Sequence, residues 1–263
     1  MKLPENSFKR ALAEGRPQFG LWAALADPYV TEVLATAGFD WLLIDNEHAP
    51  NDLRSTLGQL QAVAPYPTHP IVRPANSDRA LIKRLLDIGT QTLLVPMIDT
   101  AEQAADVVAA TRYPPHGVRG VGSSLARASR WNHVPDYLAT AASELCVLVQ
   151  VETVTGMANL AEIVNVDGVD GVFFGPADLS ASMGLLGKAG DPTVRDAVLG
   201  GIRTVCAAHK AAGILTSDQA LARAYLDAGA LFVAVGTDIG ILGAAATKLK
   251  DAFVGATSVV KNP

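Results

Sequence analysis

Residues 145–178 read LCVLVQVETVTGMANLAEIVNVDGVDGVFFGPAD, and this stretch decides the fold class. Two apolar runs, Leu145–Val151 and Gly171–Phe174, are rich in Val, Leu and Phe without strict polar alternation. Such runs are typical of parallel strands that are buried on both faces. Between them, Thr155 precedes a segment with helical periodicity, Gly156–Val164. The stretch therefore predicts a strand–helix–strand unit.

The same unit recurs on both sides of this stretch. Six further strands are predicted at Phe19–Ala23, Trp41–Ile44, Pro70–Arg73, Thr92–Pro96, Gly213–Leu215 and Phe232–Val235. Capping side chains and prolines mark where the predicted helices begin, and glycines mark where they end. These are predicted at Asp27–Gly38, Ser77–Gly89, Ala101–Thr111 after Thr100, Asp191–His209, Asp218–Ala228 after Ser217, and Ile239–Phe253 before a short polar tail.

Strands that alternate with helices in this way predict an α/β fold, a (β/α)8 TIM barrel, with residues 1–263 as a single domain. A doubly wound open sheet is the alternative. That fold usually carries a phosphate-binding glycine fingerprint after its first strand. Gly15 and Gly20 do not have that spacing, so the barrel is favoured.

The composition argues against several classes of function. The 263 residues are 49% hydrophobic and 18% charged, which allows a large buried core. The formal net charge of −5 argues against a general affinity for nucleic acid, which needs a basic surface. No segment resembles a signal peptide, and no apolar run approaches the ~20 residues of a membrane helix. With Cys146 and Cys206 interpreted as reduced thiols, we expect a cytoplasmic protein that does not bind membranes.

Polar residues follow several predicted strands, and barrel enzymes carry their chemistry at these C-terminal strand ends. Glu152 and Asp178 follow adjacent strands, where two carboxylates would repel each other unless a cation lay between them. Oxygen ligands suit Mg²⁺ or Mn²⁺, although the same carboxylates could instead cap helices or form salt bridges. The candidate site residues at or near the C-terminal ends of the predicted strands are Asp45, Asn46, Glu47, His48, Arg73, Gln150, Glu152, Gly175, Pro176, Ala177, Asp178, Thr216 and Asp218.

His48 and Arg73 each have a structural and a catalytic interpretation. A histidine after a strand, such as His48, often serves only as a hydrogen-bond partner. A charged side chain at the end of an apolar strand, such as Arg73, needs either an oppositely charged partner or a position facing the open C-terminal end of the barrel. No lysine lies at a predicted strand end, which disfavours Schiff-base catalysis. Backbone N–H groups of the turn Gly175–Ser180 could hold a carboxylate or a phosphate. The long irregular segment Tyr113–Trp131 is expected to be functional.

Six motifs, in order along the chain, resemble one enzyme family. They are Ile44-Asp45-Asn46-Glu47-His48, Ile71-Val72-Arg73-Pro74, Leu93-Leu94-Val95-Pro96-Met97, Tyr113-Pro114-Pro115-His116-Gly117-Val118-Arg119-Gly120, Gln150-Val151-Glu152-Thr153 and Gly175-Pro176-Ala177-Asp178-Leu179-Ser180. From Phe8 to Phe253 the chain resembles class II pyruvate aldolases of the 4-hydroxy-2-oxoheptane-1,7-dioate aldolase type, also called hydroxy ketoacid aldolases. These belong to the HpcH/HpaI aldolase and citrate lyase superfamily.

The resemblance implies a TIM barrel whose C-terminal helix is exchanged between subunits of a homohexamer, a trimer of dimers. It implies that Glu152 and Asp178 ligate a divalent metal ion (Mg²⁺, Mn²⁺ or Co²⁺), with no organic cofactor. Arg73 would contact the 2-oxo oxygen of pyruvate. His48 would be the acid–base residue, oriented by Asp87 from a neighbouring barrel helix. The remaining implied contacts are Asp45 beside the catalytic residues, and Gln150, Gly175, Pro176, Ala177 and Asp178 at the substrate.

The implied reaction is the reversible cleavage of 4-hydroxy-2-oxo acids to pyruvate and an aldehyde through a metal-stabilised enolate. Hydroxypyruvate and other small 2-oxo acids would be further donors. An acceptor pocket is expected at His116, Ser123, Ser124 and Leu215, but the sequence predicts neither the aldehyde nor the stereochemistry. Two alternatives stay open. One is a lyase for malyl- or citramalyl-CoA thioesters, which the arginines of Arg119–Arg130 favour; the other is a barrel that binds a keto acid without catalysis.

Overall fold

Buried apolar strands form the centre of the molecule. The computed structural model describes residues 1–257, with side chains through Val254. Within these residues all neighbouring strands pair in parallel in chain order, and the last pairs with the first, so that the sheet closes. The strands are β1 (Gln18–Ala23), β2 (Trp41–Asp45), β3 (His69–Arg73), β4 (Thr92–Val95), β5 (Cys146–Val151), β6 (Gly171–Phe174), β7 (Ala211–Leu215) and β8 (Phe232–Thr237). The predicted eight-stranded TIM barrel is confirmed.

Helices alternate with these strands around the barrel. They are α1 (Ser7–Ala13), α2 (Pro28–Ala35), α3 (Leu53–Val63), α4 (Arg79–Asp87), α5 (Ala101–Thr111), α6 (Tyr137–Thr140), α7 (Val154–Ala158), α8 (Leu160–Val164), α9 (Pro176–Ser182), α10 (Pro192–Ala207), α11 (Gln219–Asp227) and α12 (Asp238–Thr257). The helices predicted after Asp27, Ser77, Thr100 and Asp191 are confirmed as α2, α4, α5 and α10.

The helix predicted over Gly156–Val164 is wrong in two respects. Thr153 caps it, because Gly156 N donates to Thr153 Oγ1 at 2.9 Å. The segment also divides into α7 and α8 at Asn159, which leaves the helical conformation with φ −94° and ψ 5°. The Asn159 side chain donates to the backbone of the β4–α5 loop, which ties the break to the neighbouring loop.

Other helix predictions also differ from the structure. Asp218, and not Ser217, caps α11, since its carboxylate accepts from the first backbone N–H groups of that helix. The last helix continues past Phe253 to Thr257, and the rest of the predicted polar tail lies outside the described residues. Helices α1 and α3 are absent from the prediction. On the buried face of α3, Gln59 takes a place where an apolar residue would be expected, and it accepts a hydrogen bond from Thr31 of α2. The apolar periodicity of this segment is therefore weak.

The strands and helices give the barrel two different ends. Parallel strands place their C-terminal ends together at one end, the mouth, and the helices return the chain to the opposite end, the base. The segment Arg112–Leu145 connects α5 to β5 and therefore lies at the base. It contains the long irregular segment Tyr113–Trp131, which the sequence prediction associates with function.

Large aromatic side chains fill the barrel interior near the base. Trp41 and Phe232 are both fully buried, and Phe8 of α1 packs edge-on against each of them. Glycine makes room for these rings: a Cβ at Gly20 would come within 2.1 Å of the Trp41 ring, and one at Gly213 within 2.2 Å of Phe232. Helix α1 thus closes the base and leaves the mouth open for chemistry.

Helix α12 differs from the other helices because it does not cover the barrel wall. Its apolar side chains Ile241, Leu242 and Leu249 are 52%, 59% and 63% exposed. The outward-facing Phe19 of β1 is also 42% exposed. A 20-residue helix and the wall beside β1 therefore each present an uncovered apolar surface. In the part of the chain that the structure describes, no helix is long and apolar enough to cross a membrane.

Candidate active site

An arginine–aspartate pair lies at the mouth, where β2 and β3 end. Asp45 and Arg73 are register partners on these two strands. Arg73 Nε donates to Asp45 Oδ1 at 2.9 Å, and Nη2 donates to Oδ2 at 2.6 Å. The guanidinium carbon also lies 5.3 Å from the centroid of the Trp22 ring. This two-pronged pair fixes the plane of the guanidinium at the mouth.

Asp45 also shapes the turn that follows β2. Its Oδ1 accepts from Glu47 N at 3.0 Å and from His48 N at 3.4 Å. Burial by itself raises the pKa of Asp45, but the hydrogen bonds and charge of Arg73, together with these backbone N–H groups, outweigh it and hold the pKa below its usual value. Asp45 is therefore charged at neutral pH and holds the backbone of His48 in place.

Glu47 links the arginine to the histidine. Arg73 Nη1 lies 2.8 Å from Glu47 Oε2, and His48 Nε2 lies 3.8 Å from the same oxygen. The His48 side chain is 66% exposed, so its imidazole is open to the mouth. Burial raises the pKa of Glu47, although the Arg73 charge opposes it. The sequence prediction assigns Glu47 no role; its place in the Asp45–His48 motif was the available signal.

Glu152 is a buried carboxylate beside the end of β4. It is 1% exposed. Met97 N donates to its Oε1 at 3.0 Å, and Gln150 Nε2 donates to its Oε2 at 2.5 Å. Burial raises the pKa of Glu152 to about 7, with smaller contributions from the neighbouring charges of Asp178 and Glu47. The carboxylate is thus oriented by two neutral donors while acidic groups lie near it.

Asp178 lies in the first turn of α9, which follows β6, and β6 is the neighbour of β5, the strand that Glu152 follows. Its side chain is exposed at the mouth, and α9 begins with Pro176 directly after β6. A Cβ at Gly175 would lie 2.2 Å from Glu152 Oε2, so glycine is required for this close approach. Glu152, Gln150 and Gly175 are therefore in close contact, and the Asp178 charge is near enough to act on Glu152.

This carboxylate pair fits a divalent cation. Among residues 1–257, the ion pairs of the structure include none to Glu152 or Asp178, and the buried Gln150 Oε1 accepts no hydrogen bond. A buried carboxylate with acidic neighbours lacks a positive charge, which a hard cation with oxygen ligands would supply. In the described residues no group of three or more His, Cys, Asp or Glu side chains is arranged to hold a metal ion. Two protein carboxylates would therefore leave ligand positions for water and substrate.

Asp87 lies far from His48 within one chain. It is the last residue of α4, which places it at the base, whereas His48 follows β2 at the mouth. Its Oδ1 accepts from Arg119 Nη2 at 2.7 Å, and the Arg119 guanidinium lies over the Tyr113 ring. The expected contact between Asp87 and His48 is therefore not made within the chain, because α4 runs away from the mouth. Such a contact requires a second subunit.

The expected acceptor-pocket residues divide between the two ends of the barrel. His116, Ser123 and Ser124 lie in the α5–β5 segment at the base, away from Glu152 of the same chain. Leu215 lies at the mouth, where it lines a cavity of about 420 Å³ together with Ser217, Val235, Thr237 and Ile241. Of the four expected acceptor-pocket residues, Leu215 alone lies at the mouth of its own chain.

Comparison with known proteins agrees with this geometry. The profile of the HpcH/HpaI aldolase/citrate lyase family matches residues 18–245. A hydroxypyruvate/pyruvate aldolase of Paraburkholderia phytofirmans is 72% identical over all of this chain and 98% of its own length. A 4-hydroxy-2-oxo-heptane-1,7-dioate aldolase of Salmonella arizonae is 59% identical over 95% of each chain.

A solved structure leads to the same family. A family protein from Burkholderia cenocepacia superimposes with a TM-score of 0.90 at 40% identity, covering 94% of this chain and 99% of its own. The family profile, over residues 18–245, spans all eight strands, and Asp45, Arg73, Glu152 and Asp178 lie within it. The chain belongs to the HpcH/HpaI aldolase/citrate lyase family and is a lyase of the aldolase type.

Proposed function

We propose that the chain is a divalent-metal-dependent aldolase that reversibly cleaves 4-hydroxy-2-oxo acids to pyruvate and an aldehyde. The observation that carries the proposal is the buried Glu152 carboxylate, which has acidic neighbours and no cationic partner in residues 1–257, at the same mouth as a fixed Arg73. The names of the relatives from Paraburkholderia and Salmonella support pyruvate or hydroxypyruvate as the donor.

The metal ion would be held by Glu152 and Asp178. When bound, Mg²⁺, Mn²⁺ or Co²⁺ supplies a Lewis acid that stabilises negative charge on the 2-oxo oxygen. Gln150 and the backbone of Gly175, Pro176 and Ala177 would contact the substrate beside these ligands. Two carboxylates place few demands on the metal, and no organic cofactor is needed for the chemistry.

The chain's own residues would carry the proton and the charge. In the cleavage direction His48 removes the proton of the 4-hydroxyl, the C3–C4 bond breaks, and the aldehyde leaves. The electron pair moves towards the 2-oxo oxygen, which Arg73 faces with a guanidinium already held by Asp45 and Glu47. Protonation at C3 then gives pyruvate. Histidine suits the proton transfer because its ordinary pKa is near neutrality.

The chain would act as a single-domain barrel in a homohexamer built as a trimer of dimers. The exposed apolar side chains of α12 and the exposed Phe19 support exchange of this helix between subunits. A neighbouring subunit could also bring Asp87, His116, Ser123 and Ser124 from its base to this mouth. Small keto acids and aldehydes would be the partners, and the cytoplasm the place of action; neither nucleic acid nor membrane is expected to bind.

A lyase for CoA thioesters is the alternative. Its support was the arginine-rich segment, but Arg119 is fully buried against Asp87, and Arg127 Nη1 donates to Ile88 O at 2.8 Å. Arg119 is neutralised by Asp87, and the half-buried Arg127 is engaged by the Ile88 carbonyl, so neither presents a free guanidinium to a nucleotide phosphate at the mouth of its own or a neighbouring chain. The geometry therefore favours a free keto acid.

The test measures pyruvate released from 4-hydroxy-2-oxoheptane-1,7-dioate. Protein treated with EDTA should be inactive, and added Mn²⁺ should restore release. Malyl-CoA serves as the competing substrate in the same assay. Release from the free keto acid without any metal, or preferential cleavage of the thioester, would contradict the proposal.

A further inference from the structure

Met97 has an unusual backbone conformation next to the candidate metal site. Its φ is 58°, in the left-handed region that residues with a side chain rarely adopt. In this conformation its N–H donates to Glu152 Oε1 at 3.0 Å. Strained residues of this kind persist where the surrounding structure determines them, and they concentrate at functional sites.

The loop that contains Met97 is fixed to the end of β5. Ile98 N donates to Gln150 O at 3.0 Å, and Thr153 Oγ1 donates to Asp99 Oδ1. A Cβ at Gly156 of α7 would lie 3.0 Å from Ile98 O, so this helix and the Met97 loop approach closely. These contacts hold the loop on the C-terminal side of Met97, and β4 precedes Met97 on the other side. They tie the loop to the end of β5, where Gln150 lies and which Glu152 follows.

We propose that Met97 is a positioning residue for the metal-ligating carboxylate of Glu152, and that it acts through its backbone N–H. Gln150 Nε2 holds one carboxylate oxygen and Met97 N holds the other. The two donors leave the buried carboxylate one orientation, with lone pairs remaining for a cation. The inference rests on the proposed function, because that function makes Glu152 a metal ligand.

The Met97 side chain allows a clean test because it is 49% exposed and does not fill the core. Glycine adopts a positive φ readily, and alanine tolerates it better than a β-branched residue does. Met97→Gly and Met97→Ala should therefore keep the N–H direction, whereas Met97→Val should drive the backbone out of this conformation. A role for the side chain would give the opposite order, since glycine and alanine remove most of it.

The experiment measures Mn²⁺ affinity by electron paramagnetic resonance on the purified, EDTA-stripped protein, with thermal unfolding as a check of folding. We expect Met97→Gly and Met97→Ala to bind Mn²⁺ within about twofold of wild type and Met97→Val to bind about tenfold or more weakly. Wild-type affinity in Met97→Val, or a tenfold loss in both Gly and Ala variants, would overturn the proposal. If Met97→Val does not fold, Met97→Thr takes its place with the same expected and overturning results, because threonine is also β-branched and is polar at this half-exposed position.

Glu152→Gln separates this inference from the proposed function. Loss of Mn²⁺ binding in Glu152→Gln, with the expected order of the Met97 variants, supports both. The same loss together with an unaffected Met97→Val refutes the positioning role alone. Wild-type Mn²⁺ affinity in Glu152→Gln would refute the ligand assignment and with it the role of Met97.

Discussion

The buried His69 should make the stability of the barrel depend on pH. His69 begins β3 at the base, where its ring stacks on Phe8 and its Nε2 lies 2.8 Å from Thr92 Oγ1. Asn6 Nδ2 donates to the same Thr92 oxygen at 3.0 Å, which leaves the hydroxyl hydrogen free for the imidazole. This arrangement suits neutral His69, and burial lowers its pKa to about 4.

The sign and size of the effect follow from this shift. An unfolded chain has a histidine pKa of about 6.5. Between about pH 6.5 and pH 4 the histidine is protonated in the unfolded chain but stays neutral in the folded protein, and protonation therefore stabilises the unfolded chain. The contribution of His69 to stability is present above about pH 6.5 and is lost as the pH falls towards 4. Between pH 7.5 and pH 5.0 the loss works out to about 2 kcal/mol.

His69→Gln should remove this loss, because glutamine can still bond to Thr92 but does not titrate. The free energy of unfolding is measured in urea at pH 7.5 and pH 5.0 for both proteins. Carboxylate titration contributes equally to each, so wild type should lose about 2 kcal/mol more than the variant. His209→Gln, at an exposed position, is the control and should behave as wild type. If wild type and His69→Gln lose the same free energy of unfolding between pH 7.5 and pH 5.0, His69 does not cause the pH dependence.

Three further predictions concern the mouth. His48→Ala should reduce aldol cleavage by about two to four orders of magnitude while Mn²⁺ binding is unchanged, measured by pyruvate release and by electron paramagnetic resonance; near-normal turnover would exclude His48 as the base. Arg73→Ala should slow the exchange of pyruvate methyl protons, which NMR follows in D₂O; unchanged exchange would leave Arg73 only its contacts to Asp45 and Glu47. Glu152→Gln should abolish the rise in Tm that Mn²⁺ produces in wild type, and a retained rise would place the metal elsewhere.

The strands could be predicted because each is a nearly continuous apolar run, as parallel strands covered on both faces require. Helix α3 could not, because its buried face carries Thr56 and Gln59, and hydrogen bonds to neighbouring side chains replace apolar packing there. The cap at Thr153 was missed in favour of Thr155 because both threonines precede the same apolar segment.

The mouth could largely be predicted, since Asp45, Arg73, Glu152 and Asp178 all lie at or shortly after the C-terminal ends of strands, and these ends meet in a barrel. The position of the Tyr113–Trp131 segment at the base also follows from chain order, because it comes after a helix and before a strand. The family resemblance places residues of this segment in the acceptor pocket, but it does not predict whether they belong to the mouth of their own chain or of a neighbouring one. The strained backbone of Met97 has no signal in the sequence, because methionine is not a residue that favours a positive φ.

Proton exchange at the methyl group of pyruvate would show metal-dependent enolate formation without any acceptor aldehyde. EDTA-stripped protein is incubated with pyruvate in D₂O, with and without Mg²⁺, Mn²⁺ or Co²⁺, and the methyl signal is followed by NMR. We predict exchange only when a metal is present, because the proposed cation at Glu152 and Asp178 would supply the positive charge that stabilises the enolate. Absence of exchange with all three metals would contradict the account.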